Sequence, residues 1–233
     1  MNIIITGASR GLGKAIAEKF ASQQHRLFLS SRNKDVLLET EKQIKSKYPS
    51  AQVKIYAADL SLKDEVVKFG DWIRQQQVSI DVLVNNAGSF TPGSVHNEPE
   101  GALENMIAVN LYSAYHLTRE IIPLMMQRRN GHIFNMCSIA SMQAYENGGA
   151  YSISKFALLG FTKNLRAEMM PYGIKVTAIL PGATYTDSWA GSGVKEERIM
   201  EASDIAELVF ASAHLSPQAC VEEIVVRPQL GDL

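Results

Sequence analysis

Short runs of branched apolar residues recur along this chain, separated by longer stretches in which apolar positions return every three or four residues. The short runs are Ile3 to Ile5, Leu27 to Leu29, Val53 to Tyr56, Val82 to Val84, Ile133 to Met136, Val176 to Leu180 and Ile224 to Val226, and they read as strands. Between them, Leu12 to Gln23, Asp35 to Lys47, Lys63 to Gln76, Glu100 to Gln127, Ala150 to Met169 and Asp204 to Ala213 carry helical periodicity. This alternation requires right-handed crossovers. It predicts an α/β fold in which a single doubly wound parallel sheet of about seven strands is covered by helices on both faces. No repeat, low-complexity tract or linker divides residues 1–233, so one domain is expected. The least regular stretch, Gly182 to Ser203, includes Gly191-Ser192-Gly193 and few apolar anchors. It comes after the sixth strand, at the rim where such sheets bind ligands, and is expected to form a mobile lid.

Composition narrows the classes of function. With 46% hydrophobic and 20% charged residues, the 233-residue chain can bury a sizeable core. A formal net charge of -1 leaves no electrostatic footprint for nucleic acid or an anionic membrane, which points to a small-molecule partner. No apolar run approaches the roughly 20 residues of a membrane-spanning helix. The opening MNIIITG is already strand and turn, and only Cys137 and Cys220 are present, so a reducing cytoplasm is the expected location. Five scattered histidines lack metal-ligand spacing, and no metal is expected.

The first strand runs into TGASRGLG. Glycines here allow a tight turn and a close backbone approach to a pyrophosphate, while the next helix offers free N–H groups and a positive dipole end. The spacing G-x-x-x-G-x-G varies the Rossmann dinucleotide fingerprint, making Gly7, Ser9, Arg10, Gly11, Leu12 and Gly13 a candidate cradle. An NAD site would place a carboxylate about 20 residues further on, for the ribose 2′-hydroxyl. Ser31 and Arg32 stand there instead. Arg32 and Arg10 together suit a 2′-phosphate, so the expected cofactor is NADP(H). After the third strand, Asp59 fits either an acceptor for the adenine amino group or a helix cap, with Leu60 beside it. Asn86, Ala87 and Gly88 come after the fourth strand, where they suit the adenosine ribose and support of the sheet, or an ordinary turn.

In Ala150-Tyr151-Ser152-Ile153-Ser154-Lys155 a phenol and an ammonium stand four residues apart on a helical pattern, hence on one face. An ammonium there stabilises the phenolate and brings the phenol towards the range of a working acid or base. Ser138, thirteen residues upstream at the end of a strand, can polarise a carbonyl held near Tyr151. Ser141 reads as a loop residue near the substrate and Cys137 as a small packing residue.

With these motifs in order, the sequence resembles the classical short-chain dehydrogenase/reductase family over nearly its whole length. The carriers are TGASRGLG, NNAG, Asn110 in MIAVN, Ser138, YSISK and Pro181-Gly182. The resemblance implies a catalytic set of Asn110, Ser138, Tyr151 and Lys155: Tyr151 as general acid/base, Lys155 lowering its pKa and holding the nicotinamide ribose, Ser138 orienting the carbonyl, and Asn110 sustaining a proton relay. It also implies nicotinamide contacts at Pro181, Gly182, Thr184 and Thr186, and a homodimer or homotetramer. Tyr112, Tyr115, Phe156 and Phe161 are the candidates for a helix-to-helix interface. The activity so implied is hydride transfer between NADP(H) and a carbonyl/alcohol substrate, with reduction favoured. Two other classes are weighed: a non-catalytic NADP(H)-sensing regulatory protein on the same fold, and an epimerase or dehydratase, for which a larger C-terminal domain and another glycine spacing would be needed. The chain ends EEIVVRPQLGDL, unlike the family's usual tail, which leaves the back wall of the substrate pocket open.

Overall fold

The computed structural model describes residues 1–189 and 193–232, so Gly191 and Ser192 of the expected lid lie outside the described residues. Every apolar run becomes a strand: β1 Asn2–Thr6, β2 Arg26–Ser31, β3 Gln52–Ala57, β4 Val82–Asn85, β5 Gly131–Met136, β6 Ile174–Pro181 and β7 Glu223–Val226. They pair in parallel in the order β3-β2-β1-β4-β5-β6-β7. Since β1 pairs with both β2 and β4, the strand order reverses between β1 and β4 and opens a crevice at their carboxyl ends.

Successive strand residues point to opposite faces, which is why these runs are continuously apolar. Ile3, Ile5, Leu27 and Leu29 pack with Ile16 and Phe20 of α1 (Gly11–Ser22), Leu37 and Ile44 of α2 (Lys34–Lys47) and Ile205 and Val209 of α7 (Ala202–Ala213). Their neighbours Ile4, Phe28, Leu83 and Ile133 face the other layer. There they meet Phe69 and Ile73 of α3 (Lys63–Gln75), Leu117 and Ile121 of α5 (Ser113–Arg128) and Leu165 of α6 (Gly149–Met169). The sheet is thus doubly wound in one domain.

Two expectations need correction. The helix expected over Glu100 to Gln127 is broken: Gly101 adopts a left-handed φ of 84°, α4 covers Ala102–Ile107, and a π turn over Ala108–Tyr112 precedes α5. One residue inserted into the helical ladder leaves the apolar spacing nearly intact, so periodicity does not register it; such bulges recur at functional sites. The described ends of the stretch from Gly182 to Ser203 are better anchored than its composition implies. Thr184 forms a bridge with Met200, through Tyr185 N to Met200 O (2.7 Å) and Met200 N to Ala183 O (3.1 Å), and Ile199 and Met200 are buried.

Candidate active site

On the nucleotide side of the crevice, β1 ends at Thr6 and α1 begins at Gly11. Gly7 takes φ +62° and Gly11 φ +53°, conformations that favour glycine. The loop is held by side chains that grip its main chain. Asn86 donates its amide to Thr6 O (2.9 Å) and Gly7 O (3.1 Å), while Thr6 Oγ1 accepts from the N–H groups of Asn86 and Ala87 at 2.9 Å each. Thr40 of α2 pins Ser9 O at 3.0 Å. Gly13 is glycine because a Cβ there would lie 2.4 Å from both Asn86 Nδ2 and Gly7 O. The first turn of α1 has no acidic side chain and Arg10 supplies no side-chain cap, so its N–H groups face an anion without a built-in competitor. This is the donor set a pyrophosphate needs.

The remaining nucleotide-side candidates separate by what they touch. Arg10 and Arg32 are exposed, and neither guanidinium has a hydrogen-bond or ion-pair partner among the described residues, so both charges are available to a phosphate. Ser31 is buried, its hydroxyl donating to Asn33 O at 3.4 Å. Asp59 Oδ1 accepts from the N–H and the hydroxyl of Ser61 at 3.0 and 2.6 Å, ordering the loop ahead of α3; it does not cap the helix, whose cap position is Leu62. Leu60 and Leu12 point into the core layers, leaving their main chain for a ligand. The side chain of Asn86 is spent on the glycine loop.

On the catalytic side, β4, β5, α5 and α6 are stitched by a buried polar ladder. Asn85 donates to Thr118 Oγ1 (3.0 Å) and Asn135 Oδ1 (2.8 Å), Asn135 donates to Thr162 Oγ1 (2.9 Å), and Thr162 donates to Leu158 O (2.7 Å). Burial pushes the neighbouring Cys137 thiol up to about 11, so it remains a neutral packing group. Above this ladder Lys155, buried on α6, donates to Met136 O at 2.7 Å and stands 5.8 Å from the centroid of the Tyr151 ring. Met136 O is its sole hydrogen-bond acceptor among the described residues, and a buried ammonium with further donors suits ribose hydroxyls.

Asn110 sits in the π turn, buried, and makes four hydrogen bonds: Oδ1 accepts from Ser89 N (2.8 Å), and Nδ2 donates to Ser89 O (3.0 Å), Ser154 Oγ (2.9 Å) and Met106 Sδ (3.6 Å). Ser154 in turn donates to Tyr151 O at 2.7 Å, which fixes its oxygen as the acceptor for Asn110. Gly88 closes the group, since a Cβ on it would lie 3.1 Å from Asn110 Oδ1 and 3.6 Å from Lys155 Nζ. Ser138 comes just after β5, and its hydroxyl accepts from Ala140 N at 3.1 Å. Ser141, expected as a loop residue near the substrate, is buried and accepts from Ser138 N at 3.1 Å, completing a reciprocal cap. Ser152 of α6 donates to Ala140 O at 2.9 Å and ties this turn to the helix bearing Tyr151.

Pro181 and Gly182 end β6 beside these groups, Thr184 is buried with its hydroxyl on Gly182 O (3.0 Å), and Thr186 reaches the glycine loop, its Cγ2 lying 3.3 Å from the place a Gly11 Cβ would take. Several contributors escape sequence reasoning. Phe90 meets Tyr151 edge-on, with centroids 4.9 Å apart, and Glu98 accepts from Ala150 N (2.8 Å) at the start of α6. Burial, aided by nearby Tyr151, pushes the Tyr145 phenol up to about 12. None belongs to a recognisable motif; each acts through a loop whose course sequence does not disclose.

A family model described as short chain dehydrogenase matches residues 1–197. An uncharacterized oxidoreductase of Staphylococcus saprophyticus is 30% identical over 225 residues, 97% of this chain and 96% of that protein. Among solved structures, a metagenomic short-chain oxidoreductase in complex with NADP is 31% identical with a TM-score of 0.85, covering 98% of this chain and 97% of that one. The alcohol dehydrogenase of the archaeon Thermococcus sibiricus, complexed with 5-hydroxy-NADP, is 26% identical with a TM-score of 0.89 over 98% and 96% of the two chains.

Proposed function

Because the chain belongs to the short-chain dehydrogenase family, we propose that it is an NADP(H)-dependent oxidoreductase acting on a carbonyl/alcohol pair, mainly as a reductase. The observation that carries this reading is the meeting of Lys155 and the fully bonded Asn110 at Gly88, with Tyr151 one turn of helix from Lys155, next to a glycine loop whose helix N-terminus is left for an anion. Arg10 and Arg32 favour the phosphorylated cofactor, and the two NADP-type complexes of similar proteins agree with that choice. When bound, the nicotinamide would supply the hydride in reduction and take it in oxidation.

The protein's own residues do the rest. Lys155 would hold the cofactor's ribose, and its positive charge favours negative charge developing on the phenol. Ser138 would donate to the substrate carbonyl from the end of β5, and Tyr151 would give the oxygen its proton as the carbon is reduced. Asn110 acts through Ser154 and the main chain, holding α6 against the π turn and fixing the height of Tyr151. Reduction is the favoured direction because the inferred cofactor is mostly held reduced in cells.

Tyr151→Phe tests the reading. Turnover of a carbonyl panel, followed by loss of NADPH absorbance, should fall by about a hundredfold or more, while NADPH affinity stays near that of the unaltered protein. Substantial residual turnover would remove Tyr151 from the acid role, and NADPH binding without any turnover in the unaltered protein would favour a regulatory sensor. Self-association belongs to the same proposal: Tyr112 of the π turn, Tyr115 of α5 and Phe156 of α6 leave exposed aromatic surface fit for a second copy. Phe161, expected on that surface, is instead half-buried and edge-on to Tyr115 at 5.5 Å.

A further inference from the structure

The strands β5, β6 and β7 end side by side, and each delivers a different group to that rim: Ser138 just after β5, Pro181-Gly182 at the end of β6 and Arg227 just after β7. Gly182 N donates to Val226 O at 2.8 Å, which draws Arg227 against the segment expected to flank the nicotinamide. A Cβ on Gly182 would lie 3.4 Å from Arg227 Cα and 3.2 Å from Asp232 Oδ1. The half-buried Arg227 guanidinium is paired with the Asp232 carboxylate through Nη1, and its Nη2 donates to Gln143 Oε1 at 3.5 Å. Gln143 lies in the loop that leads from Ser138 to Tyr151. A guanidinium therefore spans from the catalytic loop to the tail, with a carboxylate on it.

The tail is held for that purpose by another arginine. Arg198, from the segment between β6 and α7, donates to Gly231 O (3.0 Å), Leu230 O (3.5 Å) and Asp232 O (3.1 Å). Gly231 N donates to Pro228 O at 2.9 Å and takes φ +82°, so the chain turns back and presents Asp232 to Arg227. An ion pair this exposed adds little stability, on the order of 0–1 kcal/mol, so another carboxylate can displace Asp232 cheaply. The fork of a guanidinium matches the two oxygens of a carboxylate, the group Arg227 already holds in Asp232.

We propose that Arg227 is the specificity-determining residue for a carboxylate on the substrate, that the compounds reduced at Tyr151 are oxo acids, and that Asp232 occupies the carboxylate position as an internal stand-in. The inference rests on the oxidoreductase reading above and adds the substrate class to it. No covalent step involves Arg227; it positions one end of the substrate while the carbonyl meets Ser138 and Tyr151.

The test compares acetoacetate and levulinate with their methyl esters as NADPH-dependent substrates, in the unaltered protein and in Arg227→Gln, Arg227→Lys and Asp232→Asn. The acids should be preferred, and Arg227→Gln should cut their kcat/KM by about tenfold or more, chiefly through KM, while leaving the esters nearly unchanged. Arg227→Lys should restore part of the preference, and Asp232→Asn should lower KM for the acids alone. Equal or better use of the esters by the unaltered protein, an undiminished acid preference in Arg227→Gln, or weaker acid use in Asp232→Asn would overturn the proposal. Calorimetric titration of the NADP+ complex with butyrate and methyl butyrate separates the two readings, because neither probe has an alcohol to oxidise. Butyrate binding that needs Arg227, without turnover of any carbonyl, would sink the oxidoreductase reading and leave the carboxylate site standing. Turnover of esters with no butyrate binding would do the reverse.

Discussion

The two halves of the crevice are built by different means. Around the glycine loop, shape comes from main chain: Gly7 and Gly11 at positive φ, Gly13 pressed on Asn86 and Gly7 O, and an α1 N-terminus without an acidic cap. Around Tyr151, shape comes from side chains that satisfy one another: Asn110 with Ser89 and Ser154, Lys155 with Met136 O, and the ladder from Asn85 to Thr162 beneath. The first half is intolerant of added atoms. The second is intolerant of lost donors and acceptors, because a buried network with a missing member leaves its partners unpaired at a cost of about 1–3 kcal/mol each.

The largest effect that would sharpen this contrast concerns the charges flanking the glycine loop. If main chain holds the pyrophosphate and only Arg10 and Arg32 read the 2′-phosphate, cofactor choice can be changed without touching catalysis. Ser31→Asp combined with Arg32→Ala should lower or reverse the NADPH/NADH ratio of kcat/KM, by roughly tenfold to a hundredfold, given about 1.5–3 kcal/mol per charge-assisted contact before screening by solvent. In the unaltered protein the preference should shrink as salt is added. An unaltered protein that uses NADH as well as NADPH, or a double variant with the same ratio, would place cofactor selection elsewhere.

A somewhat smaller effect tests the claim of intolerance to added atoms. Gly13→Ala inserts one methyl group 2.4 Å from a main-chain oxygen and from the amide that locks the loop. Overpacking of this kind costs about 1–3 kcal/mol, so the urea midpoint should fall with its slope unchanged. Cofactor affinity should fall as well, since the displaced groups are those that set the loop. Full stability in this variant would show that the loop is softer than the main-chain contacts imply.

The same contrast explains how much is legible in the sequence. Seven strands, the double winding and the glycine loop emerge from local patterns, because periodicity and glycine spacing are properties of a few consecutive residues. Tyr151, Lys155 and Ser138 are legible for a related reason: two share a helix turn and the third comes just after a strand. The π turn is not, since Asn110 lies in an apolar pattern that one inserted residue barely disturbs. That Asp59 orders a loop instead of capping α3, and that Ser141 caps the turn after Ser138, is not legible, because each bonds a neighbour within three residues, Ser61 and Ser138, a choice made by loop geometry. Arg227 and Arg198 carry no motif at all; Arg227 is drawn beside Gly182 by the pairing of β6 with β7, and Arg198 meets the tail by clasping its carbonyls.

The smallest effect probes the layer that carries α1 by pH, through two histidines that differ in burial: His132, stacked on Phe134, and His25, packed against Phe20. His132 on β5 is 4% exposed and accepts no proton readily: burial, reinforced by the charge of Lys175, lowers it to about 3. Thr177 gives its hydroxyl proton to Val221 O (2.5 Å), so its oxygen must accept from His132 Nε2 at 2.7 Å, leaving Nδ1 bare and unpartnered. His25, beside α1, is lowered to about 4 by burial, then by the N-terminal ammonium and His214, but it is only half-buried. In both cases the folded pKa lies below the unfolded value near 6.5, so the unfolded chain binds more protons throughout the window between them. Stability is therefore complete above about pH 6.5 and falls as the pH drops through that window, towards about 3 for His132 and about 4 for His25. For His132 the slope approaches roughly 1 kcal/mol per pH unit, and for the better-hydrated His25 it should be smaller. Urea unfolding at pH 7, 6 and 5 checks this: His132→Gln, which keeps a donor for Thr177, should flatten the acid side of the profile more than His25→Gln does. A profile that His25→Gln flattens and His132→Gln leaves alone would mean that water reaches the His132 ring, contrary to its burial against Phe134 and Thr177.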